Sequence, residues 1–218
     1  MRIHLKIKSK NQVIPFNHQP LMVGTIHKWL GWNEQHGSVA LFSFSRLNGA
    51  KLNKEGLIFE RGTTFYISAY DINMIKSLIK GIQEDPTMFN GLKVDEIIIE
   101  SDPDLTQVEY FQIGSPILVK RNKESHVVHY LYNDPIVNEL LKETLLTKMK
   151  KIGLEDDTLE ISFDLKYSKA GTKLIEYSGI KNRVNWCPVI IKGKPETKLF
   201  AWNVGLGNST GIGFGAIK

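Results

Sequence analysis

The chain has 218 residues, of which 42% are hydrophobic and 23% charged, and its formal net charge is +5. These proportions are ordinary for a globular protein, and the length suits one large domain or two small ones. No apolar run approaches a membrane span, and a single cysteine, Cys187, excludes both an internal disulfide and a cysteine-based zinc site. We therefore expect a cytoplasmic protein without a membrane partner.

Positive charge is concentrated toward the end of the chain. The range 165–218 carries nine lysines and arginines against Glu176 and Glu196, whereas the preceding residues are close to neutral. A basic region on a neutral body favours a polyanionic partner such as nucleic acid. A solvated lysine-rich surface would have the same composition, so charge alone leaves both interpretations open.

The first 103 residues predict a βαββαβ order. Apolar and basic residues alternate over 1–8 as in a half-buried strand, and Pro20 is placed to begin a helix that ends at Gly31. The remaining predicted elements are a strand over 38–47, a hairpin of strands 57–60 and 63–70, a helix over 72–83 capped by Asp71, and a strand over 92–100. This order is typical of a ferredoxin-like, RRM-like domain, and the polar segment 101–104 marks its predicted boundary.

The second half, residues 104–218, predicts a β-rich domain with one long helix. Asp134 is placed to cap that helix, which would run from Pro135 to about Lys151. Strands are predicted over 108–112, 117–121, 126–132, 159–167, 173–177 and 186–192. We interpret this half as a degenerate second copy of the first topology, which gives an α+β fold of two tandem ferredoxin-like domains.

The chain ends in a glycine-rich stretch with five glycines between residues 205 and 215. Glycine lets the backbone approach a ligand closely, and exposed N–H groups can cradle a phosphate. The spacing G-x-G-x-x-x-G does not fit a dinucleotide fingerprint, and the Lys-Ser or Lys-Thr of a P-loop is absent. A phosphate-binding loop and a plain glycine hairpin both remain open from the local sequence.

The glycine-rich stretch resembles the C-terminal loop of the CRISPR-associated repeat-RNA endoribonucleases of the Cas-six type, in the RAMP superfamily. Residues 14–19 (IPFNHQ), 41–45 (LFSFS) and 115–119 (SPILV) resemble other parts of the same family. The resemblance implies two ferredoxin-like domains and cleavage of precursor CRISPR RNA within its repeat, without a metal or another cofactor. The products would be a 2′,3′-cyclic phosphate and a 5′-hydroxyl.

Histidine is the side chain best suited to acid–base catalysis at neutral pH. His27 falls at the edge of the buried stripe of the first predicted helix, and His36 lies in the loop that follows. The resemblance implies an acid–base residue at the place of His27 and a histidine before the Leu-Phe-x-x-Ser strand, where His36 stands. It also implies a lysine near that strand, for which Lys51 is the best candidate.

The candidate RNA-binding residues lie in the basic C-terminal region. Lys181 and Arg183 belong to a predicted loop beside Tyr177 and Trp186, where cations could grip phosphate and an aromatic ring could stack on a base. Core aromatics with solvated cations are the alternative. The glycine-rich stretch contributes the other candidates, which are Gly205, Gly207, Asn208, Ser209, Gly211 and Gly213.

Three functions remain open from the sequence. The first is a metal-independent endoribonuclease acting on CRISPR repeat RNA, and the second is a subunit of the same fold that binds this RNA without cutting it. The third is a small-molecule enzyme with a phosphate-binding glycine loop. Other subunits of a CRISPR effector complex and a second copy of the chain are the protein partners left open.

Overall fold

The computed structural model describes residues 1–31, 39–124 and 126–218. Its helices are α1 (Gln19–Leu30), α2 (Ile72–Glu84), α3 (Val137–Lys150) and α4 (Pro195–Val204), with a 3-10 turn at Thr210–Ile212. Within these described ranges, no helix has the length and apolar character needed to cross a lipid bilayer.

The first half forms one antiparallel sheet, covered by two helices. Its strands are β1 (Arg2–Lys8), β2 (Phe42–Phe44), β5 (Thr63–Ala69) and β6 (Lys93–Glu100), in the spatial order β2-β5-β1-β6. Two short strands, β3 (Lys51–Asn53) and β4 (Gly56–Ile58), form a separate hairpin between β2 and β5. The apolar residues of β1 are buried with those of α1 and α2 in one core, as the alternating pattern predicts.

The predicted hairpin of 57–60 with 63–70 is wrong. β5 already pairs with β1 on one side and with β2 on the other, so no edge is left for β4. β4 pairs with β3 instead. The strand expected over 38–47 is also shorter than predicted in the described residues, since the regular strand is Phe42–Phe44. Beyond it, the N–H groups of Ser45 and Asn48 still donate to the Tyr66 and Thr64 carbonyls of β5.

The second half is built around a three-stranded sheet. Its strands are β7 (Tyr110–Phe111), β10 (Glu160–Phe163) and β13 (Val189–Lys192), in the order β10-β13-β7. Beyond β7 the end of the chain continues the pairing, through a bridge between Ile113 and Ile217. Two hairpins stand apart from this sheet: β8 (Lys120–Lys123) with β9 (His126–His129), and β11 (Gly171–Tyr177) with β12 (Ile180–Trp186).

The second half has a helix that the sequence pattern does not predict. We expected one long helix here, but α4 follows β13 directly, with Pro195 in its first turn. Most residues of α4 are buried, so the helix lacks the polar face that makes a 3.6-residue periodicity visible. α3 is confirmed, although it begins at Val137, two residues later than predicted. The predicted cap is wrong, because the N-cap residue is Ile136 and the Asp134 carboxylate accepts from the Leu131 N–H instead.

Two large cores follow the two halves of the chain. One is built from residues between Ile3 and Val94, and the other from residues between Leu105 and Ile217. The predicted boundary at 103–104 falls in the interval between them. The glycine-rich stretch belongs to the second half, yet Gly213 and Gly211 pack against Phe44 and Phe42 of the first.

Arg2 ties the two halves together. Its guanidinium lies between the rings of Tyr66 and Trp202, 4.0 Å and 3.5 Å from their centroids. It donates hydrogen bonds to the backbone oxygens of Trp202 (3.2 Å) and Ile217 (2.7 Å) and to Ser68 Oγ (2.6 Å). Burial lowers the pKa of this guanidinium to about 10, so Arg2 remains charged at neutral pH.

Replacing Arg2 by alanine is expected to lower the free energy of unfolding by about 3 kcal/mol, because it removes the guanidinium's hydrogen bonds to Ser68 Oγ and to the Trp202 and Ile217 carbonyls. The Ile217 carbonyl keeps one donor, the Tyr66 hydroxyl at 3.0 Å. Chemical denaturation would measure the loss. Lys6→Ala is the matched control, since Lys6 lies on the same strand with an exposed ion pair to Glu96. Its expected effect is below about 1 kcal/mol. Equal losses in the two variants would contradict this role of Arg2.

Candidate functional site

A cavity of about 640 Å³ lies where α1, the glycine-rich stretch and α3 meet. Three groups of residues line most of its wall. They are His27, Leu30, Val39, Ala40 and Phe42 from the first half; Gly207, Asn208, Ser209, Thr210, Gly211 and Ile212 from the glycine-rich stretch; and Arg121, Glu143, Thr144, Thr147 and Lys148 from β8 and α3. We call this space the loop cavity.

His27 enters the loop cavity from the last turn of α1. Ile26 and Trp29 of the same helix are buried in the first core, whereas His27 is only half-buried. The apolar face of α1 therefore packs in the first core, and the His27 imidazole lies at the edge of that face, as the sequence predicts. A basic side chain in the last turn of a helix is also favoured by the helix dipole.

The glycine-rich stretch does not act as one continuous cradle. Gly207, Asn208, Ser209 and Gly211 line the loop cavity with His27, whereas Gly205 and Gly213 are absent from its lining. Gly205 ends α4 at a φ of +71°, and its N–H donates to the backbone oxygen of Ala201 at 2.8 Å. A plain glycine hairpin is thus not observed, and after the glycine-rich stretch the chain pairs with the second half through the bridge of Ile217 to Ile113.

Asn208 anchors the loop on the β8 side of the cavity. Its N–H donates to the Leu118 carbonyl at 2.7 Å, and its Oδ1 accepts from the Lys120 N–H at 2.8 Å. Within the described ranges, the N–H groups of Gly207, Ser209 and Gly211 have no such protein acceptor. Backbone donors of this kind, in a loop that lines a cavity, are suited to an anionic oxygen.

Lys148 lies in the cavity wall beneath this loop. Its side chain is only 3% exposed, and its Nζ donates to Val204 O (3.1 Å), Gly205 O (3.2 Å) and Thr210 Oγ1 (3.1 Å). Burial lowers the pKa of the ammonium to about 7. Lys148 therefore connects α3 both to the end of α4 and to the glycine-rich stretch.

Arg121 supplies a second cation to the loop cavity. Its guanidinium donates to Glu143 Oε2 at 3.0 Å and to the Leu140 carbonyl at 2.9 Å. Glu143 lies five residues before Lys148 on α3, and both line the cavity with Arg121, so two basic groups and one carboxylate share this wall. The wall favours anions over cations.

Of the three predicted catalytic residues, one lies in the loop cavity. His36 is outside the described residues, which end at Gly31 and resume at Val39. Lys51 is exposed on the β3–β4 hairpin, forms an ion pair with Glu60 and is absent from the cavity lining. The structure therefore does not bring Lys51 and His27 together.

Lys181 and Arg183 lie on strand β12, not in the loop that the sequence predicted. Both side chains are exposed, and neither contributes to the loop cavity. The turn of this hairpin falls earlier, at Ser178 and Gly179, where both residues have positive φ. On the neighbouring strand β11, the Lys173 ammonium lies 4.6 Å from the Trp186 ring centroid.

Sequence reasoning missed Lys148 and Arg121. For Lys148 a signal was available, because it stands at the i+7 position from Leu141 and falls on the buried stripe of α3. A lysine within an apolar stripe indicates a buried amine with dedicated acceptors. Arg121 gives no comparable signal, since its place depends on how the β8–β9 hairpin meets α3.

Fold and cavity define an α+β protein in which a glycine-rich loop, a histidine, a buried lysine and a partly buried arginine line one cavity between two packed halves. The family model of the C-terminal part of CRISPR associated protein Cas6 matches residues 100–218. This match spans more than half of the chain, so the chain belongs to the Cas6 family, the Cas-six type that the sequence resemblance indicated.

Known proteins resemble the chain over its whole length. A CRISPR-associated endoribonuclease-like protein Cas6 of Pyrococcus furiosus is 25% identical, with 100% of this chain and 98% of the relative covered. A related protein, Cas6nc of Pyrococcus horikoshii, is 23% identical over 100% of this chain and 99% of its own. A solved structure described as a RAMP protein binding different RNA substrates has a TM-score of 0.85 at 22% identity, covering 100% and 98% of the two chains. The overall fold is thus Cas6-like.

Proposed function

We propose that the protein is a metal-independent endoribonuclease that binds precursor CRISPR RNA and cuts it within the repeat. One observation carries the proposal: His27 lines the same cavity as Gly207, Ser209 and Gly211, whose N–H groups have no acceptor among the described residues. An acid–base side chain opposite anion-binding donors is the arrangement that phosphodiester cleavage needs. Because the substrate is RNA, we propose that the protein acts in the cytoplasm.

The reaction is an internal transesterification. A base removes the proton of the ribose 2′-hydroxyl, whose oxygen attacks the adjacent phosphorus while the bond to the 5′-oxygen breaks. An acid returns a proton to that leaving oxygen, which leaves a 2′,3′-cyclic phosphate and a 5′-hydroxyl. N–H groups of Gly207, Ser209 and Gly211, with the nearby charge of Arg121, would stabilise the negative charge that develops on the phosphoryl oxygens.

His27 and His36 are proposed as the acid–base pair. His36 lies outside the described residues, so its assignment rests on the family resemblance and on its place in the sequence before Val39. Lys51 has less support, because its exposed hairpin lies outside the cavity lining; its role remains a prediction.

RNA outside the cleavage site would follow the exposed hairpin β11–β12. Lys181 and Arg183 are exposed on β12, and Lys173 lies over the Trp186 ring on the neighbouring strand. Cations beside aromatic rings suit a single-stranded backbone with stacked bases. Gly205, Gly213 and Asn208, by contrast, are proposed to act on RNA only through the shape they give the loop.

We also propose that the second half, 104–218, is a second ferredoxin-like domain. In its sheet, β7 is central, β13 and β10 follow on one side, and the chain end joins on the other through Ile217. Along the chain, α3 follows β7 and α4 follows β13, just as α1 follows β1 and α2 follows β5. The spatial order of β10, β13, β7 and the chain end therefore corresponds to the order β2-β5-β1-β6 of the first half. The inserted hairpins β8–β9 and β11–β12 account for its degenerate appearance.

A non-catalytic RNA-binding subunit is the second candidate. It is favoured by the position of Lys51 away from His27, since the cavity then lacks one expected catalytic side chain. In this function the protein would hold CRISPR RNA within an effector complex or as a homodimer. The loop cavity would then bind a phosphate without activating it.

Cleavage of repeat RNA in excess EDTA separates the two functions. The wild-type protein and end-labelled repeat RNA from its own CRISPR array are incubated with the chelator, and bound and cut RNA are measured in the same samples. We expect cutting that persists in EDTA and a product that carries a cyclic phosphate. Binding without cutting would identify the second candidate, and cutting that EDTA abolishes would contradict the metal-free mechanism.

A further inference from the structure

In the described part of the chain, Lys148 is a buried cation without a buried counter-charge. Among the described residues, no carboxylate lies within 4 Å of its Nζ, and its three acceptors are two neutral carbonyls and a hydroxyl. Burying a charge is costly unless an opposite charge compensates it, and this cost is the cause of the lowered pKa of Lys148. The free protein thus holds an ammonium whose charge is only partly stabilised.

The acceptors of Lys148 are the parts of the chain that shape the glycine-rich stretch. Val204 and Gly205 are the last residue of α4 and the residue that ends it, where free carbonyls concentrate negative potential. Thr210 opens the 3-10 turn and stands between Ser209 and Gly211, which both line the cavity. A protonated amine can serve all three acceptors at once, because it has three donors.

We propose that Lys148 is a positioning residue whose missing counter-charge is supplied by one RNA phosphate bound at the glycine-rich stretch, so that RNA binding is coupled to uptake of a proton by its amine. The inference rests on RNA binding in the loop cavity, as proposed above, but not on cleavage. A phosphate over Ser209 and Gly211 would stabilise the ammonium through the loop, and the ammonium would hold Thr210 and the loop in place.

The other charged groups around Lys148 do not supply that counter-charge in the described structure. On α3, Glu143 is paired with Arg121 of β8 at 3.0 Å. α1 contributes His27, and the end of α4 and the 3-10 turn contribute no ionisable side chain at the contact. Glu34 and His36 belong to the segment outside the described residues, so the experiment removes the histidines and compares variants at Lys148.

The sign of the coupling follows from the two protonation equilibria. In the free protein the amine loses its proton as the pH rises through about 7. A bound phosphate favours the charged amine and raises its pKa. The affinity for RNA is therefore greatest below pH 7 and falls as the pH rises, by up to tenfold per pH unit. A lysine with an ordinary pKa would give no such change between pH 7 and 9.

The test measures RNA binding and proton uptake together. The His27→Gln/His36→Gln protein is the background, which prevents cutting and removes both histidines as sources of protons. Calorimetry at pH 8 in two buffers of different ionisation enthalpy counts the protons taken up when repeat RNA binds. The background protein should take up close to one proton, and its affinity should fall at least tenfold from pH 7 to 9. With added Lys148→Met, both effects should disappear.

A replacement variant and the remaining outcomes keep the test decisive. If Lys148→Met does not fold, Thr210→Val replaces it; loss of one acceptor should move the midpoint of the pH-dependent affinity to a lower pH, and an unchanged midpoint would overturn the proposal. Equal proton uptake with and without Lys148 would also overturn it. RNA that is bound with proton uptake but never cut by the wild-type protein would refute the endoribonuclease and leave this inference standing.

Discussion

Replacing His27 by alanine is expected to slow cleavage of repeat RNA by about 10²–10⁴-fold, the usual contribution of a positioned acid or base. Cleavage is measured in single turnover with the protein in excess, so that product release does not limit the rate. RNA affinity should change little, because His27 is one half-buried contact in a cavity whose anion-binding groups lie on the glycine-rich stretch and α3.

The matched control for His27→Ala is His126→Ala. His126 is exposed on the β9 strand and does not line the loop cavity, so its replacement should leave the rate unchanged. If His27→Ala weakens binding and cleavage in equal proportion, the residue acts in binding alone. If it changes neither, the loop cavity is not the cleavage site.

Replacing Gly207 by alanine is expected to displace the cavity-lining loop and to abolish tight RNA binding. Gly207 has a φ of +73°, and a Cβ atom there would lie 2.4 Å from the Leu118 carbonyl oxygen. The strained backbone and the clash together should lower the free energy of unfolding by about 3 kcal/mol. The same shift would break the bond of the Asn208 N–H to Leu118, and with it the alignment of Ser209 and Gly211.

The Gly153→Ala variant separates the effect of the steric clash with Leu118 from the effect of the positive φ angle. Gly153 has a similar φ of +69°, but nothing lies within 4 Å of the position of its Cβ. Its replacement should cost about 1 kcal/mol and leave RNA binding intact. Denaturation and RNA affinity are measured for both variants. Equal behaviour of the two would show that the close approach to Leu118 does not determine the shape of the loop.

The sequence predicted those elements of the fold whose periodicity is visible locally. The alternation of residues 1–8, the proline at the start of α1 and the Asp71 cap of α2 are all observed. Its errors have one kind of cause. The partner of β4 depends on which sheet edges remain free, and α4 is almost wholly buried, so neither feature leaves a local pattern.

The candidate site was predictable where its residues stand in a local sequence pattern, and not where tertiary packing decides their position. The edge position of His27 on a helical stripe and the density of glycine could both be recognised, and these features lie together in the loop cavity. The sequence could not separate Gly205 and Gly213 from Gly207 and Gly211, because their different contacts arise from packing against α4, Phe44 and Phe42. The role of Lys148 likewise depends on acceptors more than 50 positions away along the chain.

Cleavage of repeat RNA with a single 2′-deoxyribose at the cut position tests the central claim most directly. The nucleophile of the proposed reaction is the 2′-hydroxyl, so removing that one oxygen should abolish cutting there while the RNA binds as before. The unmodified RNA should give a 2′,3′-cyclic phosphate, identified by the mass of the product. Undiminished cutting of the deoxy-substituted RNA, with a plain phosphate end, would contradict the account, because a water molecule would then be the nucleophile.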